Sequence, residues 1–264
     1  MTATLAGADS RERAAYDALS AVVDPELDEP ITDLGFVRSL EVDGASVVVH
    51  LRLPTSFCSP NFAYLMASDS KDALSGLPWT ERVVVELDEH HDSDLINRGL
   101  AADAGYKGTF LHEAENDLQE LRHTFRCKAH TAAMERCLTG LLRAEPDRKV
   151  ELLGQVRLGD LPDDDHTAAL LRRRATLGLP DDDQALVMVD HEGHGYANDD
   201  VPLKLRMARS TRISIDGNAH FCRGLLRTRY PDSEQDQVAR PNGDEVDIDP
   251  TFIPVIQLTK EHTS

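Results

Sequence analysis

ITDLGFVRSLEVDGASVVVHLRLPTSFCSP, residues 31–60, carries the punctuation that decides the fold. Phe36 to Val42 and Ser46 to Leu53 are two runs rich in apolar and β-branched residues, with Asp43-Gly44 at the turn between them. Asp-Gly tolerates the left-handed backbone of a tight hairpin turn, so the two runs read as antiparallel strands. Upstream, Arg11 to Val23 sets Ala14, Leu19, Val22 and Val23 among charges, the pattern of a short amphipathic helix that Asp24-Pro25 stops. Beyond Pro54 the period changes. Asn61 to Leu77 carries Phe62, Leu65, Met66, Ala73 and Leu74 on or near one side, and Gly76 and Pro78 end this second helix. Glu81 to Leu87 alternates as a third strand. The order helix, strand, strand, helix, strand describes a small α+β domain, one short sheet with helices on a face and too few strands for an extended doubly wound sheet.

Composition narrows what such a domain can do. The chain has 264 residues, 41% of them hydrophobic, enough for one large or two small cores. It carries 28 Lys and Arg against 47 Asp and Glu, a net charge of −19. That charge repels a phosphate backbone and gains nothing from counterion release, which excludes nucleic acid as an expected partner. It favours basic protein patches or a raised local concentration of cations. Cys58, Cys127, Cys137 and Cys222 form no CxxC pair and no disulfide-like spacing, which suits a reducing compartment. The opening MTATLAGADSRERAAYDAL has no basic segment followed by an apolar stretch, and no apolar run is long enough to span a bilayer. A cytoplasmic location without a membrane partner is the expectation.

Three motifs fall on the element boundaries: Asp24-Pro25-Glu26 after the first helix, Ile31-Thr32-Asp33-Leu34-Gly35-Phe36-Val37 entering the first strand, and Thr55-Ser56-Phe57-Cys58-Ser59-Pro60 between the second strand and second helix. Together they resemble the MIP18 (DUF59) family over about residues 10 to 92. The resemblance implies a metal or iron–sulfur cluster assembly protein rather than an enzyme, with Cys58 as the reactive or metal-binding residue. The local chemistry points the same way. A thiol entering a helix N-terminus meets unpaired N–H groups and the positive dipole end, which favour the thiolate that binds metal. Thr55 or Ser56 can cap that helix, and Asp24 and Glu26, on a rigid X-Pro turn, can reach the same end as carboxylate ligands. The plainer alternatives are a small buried cysteine and a helix-ending turn. The sequence departs from the family in having serine and phenylalanine inside the cysteine motif, and in having Ser59 between Cys58 and the proline.

An iron–sulfur cluster usually takes four cysteines, so the remaining ligands must come from a second copy, a partner or the C-terminal region. Residues 1–95 therefore read as the MIP18-like domain and 96–264 as a mainly helical extension. In the extension, Thr109 is positioned to cap a helix from about Phe110 to Arg143, with an apolar face of Leu118, Leu121, Phe125, Ala129 and Ala132. On the opposite stripe His123, Cys127, His130, Met134 and Cys137 recur at helical spacing, and Glu120 with His123 has the Glu-x-x-His spacing of di-iron bundles, with no second copy in the chain. Against this stands a solvated or packing face with incidental histidines. Pro162-Asp163-Asp164-Asp165 and Pro180-Asp181-Asp182-Asp183 read as cap and turn chemistry.

Asp190-His191-Glu192-Gly193-His194-Gly195 reads first as a flexible turn and second as a metal hydrolase site. Arg212 to Ile215 alternates, Asp216-Gly217 reads as a turn, and His220 and Cys222 are candidates to complete a site with Cys58. Arg223, Arg227 and Arg229 give a local positive face that can grip a carboxylate partner. The tail from Pro231 reads as loosely ordered up to Phe252 to Leu258. Family versions with a long C-terminal extension resemble proteins encoded beside bacterial di-iron monooxygenases. The implied role is transient binding of iron or an iron–sulfur cluster through Cys58 and its delivery to a client apo-metalloenzyme, with a homodimer as one way to complete the ligands. The rival readings are a thiol catalyst on Cys58, a hydrolase on His191, Glu192 and His194, and a metal-free adaptor.

Overall fold

A computed structural model of the chain describes residues 2–110 and 118–239, with side chains from residue 10 onward. Its N-terminal part holds the expected order of main elements, but the first helix ends at Leu19, before Asp24-Pro25, and Val23–Asp24 pairs as a strand instead of continuing the helix. Helix α1 (Thr2–Leu19) leads to a two-residue ribbon, β1 (Val23–Asp24) against β2 (Glu29–Pro30). Strands β3 (Val37–Asp43) and β4 (Ser46–Arg52) form the hairpin, Asp43 facing Ser46 across it and Gly44 taking the positive φ of 61° that the turn demands. Helix α2 (Pro60–Ser75) crosses over to β5 (Arg82–Asp88), which runs parallel to β4, so the sheet order is β3-β4-β5.

Burial follows the strand period. Val47, Val49 and Leu51 of β4 and Val85 and Leu87 of β5 turn to the core, where α2 presents Ala63, Tyr64, Met66, Ala67 and Leu74. This α+β domain is followed by helices: α3 (Ser93–Ala101), α4 (Gly105–Phe110), α5 (Leu118–Ala144), α6 (Asp165–Leu177) and α7 (Val201–Arg229), with short 3-10 turns between α5 and α6 and after α7. Asp164 caps α6 by accepting from the Thr167 amide at 2.9 Å, the cap chemistry expected of the Pro-Asp phrase.

Two long helices tie the parts together. Phe125 of α5 packs edge-on to Phe62 of α2, and Arg122 pairs with Asp69 through two bonds of 2.6 and 2.8 Å. The other half of α5, with Ala133, Met134, Cys137, Leu138 and Leu141, enters a second core with Leu170, Val187, Met188, Val201 and Leu205. Helix α7 divides likewise, Leu205 and Ala208 in the second core and Ala219 and Leu226 in the first. At their crossing Glu135, fully buried, binds Arg209, Arg212 and the Thr139 hydroxyl.

Several local expectations give way to packing. Thr109 caps nothing: it lies inside α4, its hydroxyl donating to the Gly105 carbonyl at 2.7 Å, and residues 111–117 of the expected long helix lie outside the described residues. Arg212 to Gly217 forms neither strand nor turn but the middle of α7. Residues 231–236 are not loose, since Asp232 and Asp236 bind the buried Arg52 at 2.8 and 2.5 Å. Phe252 to Leu258 lies outside the described residues.

Candidate functional site

Asp24 ends β1 and is buried. Its Oδ1 accepts from the Glu26 and Leu27 amides, both at 2.9 Å, an Asx turn that fixes the carboxylate against the tight Pro25 turn. Burial pushes its pKa up to about 6, and the charges of Glu26 and Glu29 push the same way against the two amide bonds. Among the described residues no cation pairs with it. Neighbouring acids are provided for: Glu29 binds Arg223, and Asp28 binds Arg173 at 2.7 Å.

Cys58 lies on the loop from β4 to α2, half-buried against the first core. Helix α2 begins at Pro60 with Ser59 as its N-cap, so neither Thr55 nor Ser56 caps it. Thr55 instead turns its hydroxyl into the loop, accepting from the Phe57 amide at 3.2 Å and standing 3.6 Å from the Cys58 Sγ. Two elements hold the loop. The Asp92 amide donates to His90 Nδ1 at 3.1 Å, which places the ring proton on Nε2, and Nε2 donates to the Cys58 carbonyl at 2.8 Å. Arg229 at the end of α7 donates to the Leu53 carbonyl at 3.1 Å and the Ser56 hydroxyl at 2.9 Å.

Helix α7 also supplies side chains to this face. Asn218 donates to Glu26 Oε1 at 3.2 Å, and one turn further Cys222 packs half-buried on the same core as Cys58. Burial first, then the negative potentials of Asp24, Cys58 and Glu26, push the Cys222 thiol up to about 12. The structure thus sets Asp24, Glu26 and Cys58 within electrostatic reach of Cys222. Such a set repels its own anions until a cation enters, and a thiol held protonated is a poor nucleophile at neutral pH. The four are not closed around a point: among the described residues only Asp190, Glu192 and His194 form a group of three whose ligand atoms lie within 4.8 Å.

The other candidates separate. His220 is exposed, two residues from Cys222 and about 200° round the helix. His123, exposed, and Cys127, half-buried, line a groove on α5 that His191 joins. His130 is buried, its Nε2 without a hydrogen-bond partner, and burial with the nearby Arg174 and Arg173 pushes its pKa down to about 4. Met134 and Cys137 belong to the second core, and Cys137 is pushed up to about 11 by burial. His191 faces His123 while Glu192 and His194 sit with Asp190, so the three do not gather as a hydrolase set. Of the expected basic face, Arg223 is buried on Glu29 and the Asp33 carbonyl, and Arg229 clamps the cysteine loop. His90 and Asn218, and the loop-holding role of Arg229, escaped the sequence reading because each acts across a gap of 32 to 192 residues that no local pattern spans. No helix among the described residues is long and apolar enough to cross a membrane.

Residues 12–87 match the model of a family described as iron-sulfur cluster assembly protein. That stretch contains Asp24, Glu26, Thr55 and Cys58, whereas Cys222 and the histidines of α5 lie outside it. The chain is similar to the iron-sulfur cluster carrier protein of Mycobacterium leprae, 34% identical over 107 residues that cover 39% of this chain and 27% of that one. It thus spans about a quarter of the carrier's length. It is also similar to an uncharacterized protein of Methanocaldococcus jannaschii, 33% identical over 85 residues, 32% of this chain and 87% of the relative. A DUF59 domain of unknown function from Bacillus anthracis aligns with 24% identity and a TM-score of 0.30, covering 39% of this chain and 98% of that one.

Proposed function

The chain belongs, through residues 12–87, to the iron–sulfur cluster assembly protein family, and we propose that it binds iron or an iron–sulfur cluster transiently through Cys58 and delivers it to a client apo-metalloenzyme. The observation that carries this reading is the buried Asp24 carboxylate, held by two amides, with no cationic partner among the described residues, whose negative potential reaches the Cys222 thiol that packs on the same core as Cys58. A buried anion beside soft donors is stabilised by a metal cation, which also displaces the thiol protons. Cys58 and Cys222 are the thiolate ligands, Asp24 the carboxylate, Glu26 the donor oriented by Asn218, and Thr55 the hydroxyl that steadies the Cys58 sulfur. Donors this dispersed suit a cluster, which occupies more space than one ion. Because four thiolates are usual and the chain supplies two here, the remaining ligands come from a second copy or from the client, and ligation stays exchangeable. The chain carries no catalytic cycle of its own on this reading, and a di-iron monooxygenase component is the client it implies.

The test is anaerobic reconstitution with ferrous iron and sulfide, followed by bound-iron analysis and visible absorption. Wild type should take up iron and show a sulfide-to-iron band. Cys58→Ala should lose both, and Cys222→Ala should lose at least half of the bound iron. Full iron loading in Cys58→Ala sinks the proposal.

A further inference from the structure

A second group of soft donors lies outside residues 12–87 and shares no residue with the Cys58 set. His123 and Cys127 stand one turn apart on α5, and the Cys127 Sγ is 3.5 Å from His123 Nε2. A sulfur and an imidazole nitrogen bound to one tetrahedral zinc, at bond lengths of about 2.3 and 2.05 Å, stand about 3.6 Å apart. The pair is therefore already at ligand spacing. A third donor comes from a different element: the His191 ring lies edge-on to His123, centroids 6.2 Å apart, where two zinc-bound imidazoles would sit at about 5 Å. Both histidines are exposed, so side-chain rotation closes that gap without disturbing a core.

The loop that carries His191 is held in place. Val189 pairs with Gly195, the Asp190 amide donates to the His194 carbonyl at 2.9 Å, and Asp190 Oδ1 accepts from the Glu192 and His194 amides. His123, Cys127 and His191 all line one groove of about 330 Å³, with Thr124, Lys128, Thr131 and Thr211 around them. We propose that His123, Cys127 and His191 form a binding site for a divalent ion of the zinc class, with its fourth position open to the groove. Two imidazoles and one thiolate suit zinc, whereas a hard cation would require oxygen donors. The bound ion ties the 190–194 loop to α5, independently of cargo at Cys58.

The experiment uses full-length protein with Cys58→Ala and Cys222→Ala, stripped with chelator and titrated with Zn²⁺ against a chromophoric competitor, then with Co²⁺. One Zn²⁺ per chain, together with tetrahedral Co²⁺ bands and a thiolate-to-cobalt charge-transfer band, is expected. Adding His191→Ala or Cys127→Ser should weaken Zn²⁺ at least tenfold, and Cys127→Ser should abolish the charge-transfer band. His191 is exposed, so its variant folds and the comparison survives any instability of Cys127→Ser. His194→Ala should leave affinity unchanged. Absence of Zn²⁺ binding in the parent, or an equal loss in His194→Ala and His191→Ala, overturns the proposal, the latter assigning the ion to the exposed Asp190, Glu192 and His194 group.

Discussion

Asp24→Asn should stabilise the metal-free protein at neutral pH while weakening its hold on iron. The Asp24 pKa rises from 3.8 to about 6 on folding, a change of roughly 2 units at about 1.4 kcal/mol each, so the ionised carboxyl costs the fold about 3 kcal/mol. The sign follows from proton counting. Between pH 3.8 and 6 the folded chain holds a proton that the unfolded chain has released, so stability falls as pH rises through that window and the whole cost is present above it. Asparagine keeps the Oδ1 acceptor for the Glu26 and Leu27 amides and removes the charge. Its Nδ2 group is left in a buried place, costing about 1 kcal/mol, so the net gain is about 2 kcal/mol at pH 7.5 and vanishes or reverses near pH 4. Urea midpoints in chelator at the two pH values measure it. An equal difference at both pH values, or an Asp24→Asn protein less stable than wild type at pH 7.5, refutes the reasoning. Saturating ferrous iron should then raise the wild-type midpoint more than that of the variant, since the ion replaces the missing countercharge.

His130 works in the opposite direction. Its folded pKa of about 4 lies below the ordinary 6.5, so the stability its neutral ring contributes is fully present above pH 6.5 and is lost as pH falls towards 4, by up to about 3 kcal/mol. His130→Leu should remove that loss, seen as a smaller drop in unfolding midpoint between pH 7 and pH 4.5. Glu135→Gln should destabilise by about 3 kcal/mol in urea unfolding at pH 7.5, because Arg209 and Arg212 lose the buried carboxylate that joins α5 to α7.

Turn chemistry made the N-terminal domain legible. Asp43-Gly44 set the hairpin, and Pro54, Gly76 and Pro78 punctuated the elements around α2. The β1-β2 ribbon was not readable, since two residues per strand carry no period. The extension misled where a local signal competed with packing. Asp216-Gly217 looked like a turn, yet Val201, Leu205, Ala208, Ile215, Ala219 and Leu226 bury one side of a continuous helix, and a Cβ at Gly217 would meet nothing within 4 Å. Likewise His123, Cys127 and His130 share helical spacing, but α6 and its arginines cover His130 and leave the other two at the groove. Spacing places residues on a helix; only the neighbouring elements decide what each one faces.

The placement of α7 bears most on how cargo would be held. It packs its first half on the helical core and its second half on the family domain, which sets Cys222 on the same core as Cys58, 164 residues earlier in the chain. A site assembled from two parts of the chain can loosen when those parts shift, whereas ligands on one rigid turn cannot. The donors are partly buried and not converged within 4.8 Å, so part of the binding free energy goes into drawing them together. On the proposed function, the affinity would be lower than that of a preorganised cage and release correspondingly faster, as transfer to a tighter client site would require. A substitution that weakens the grip of Arg229 on the Leu53 and Ser56 loop would therefore act on cargo retention before it acted on fold, because it frees the Cys58 loop while both cores stay packed.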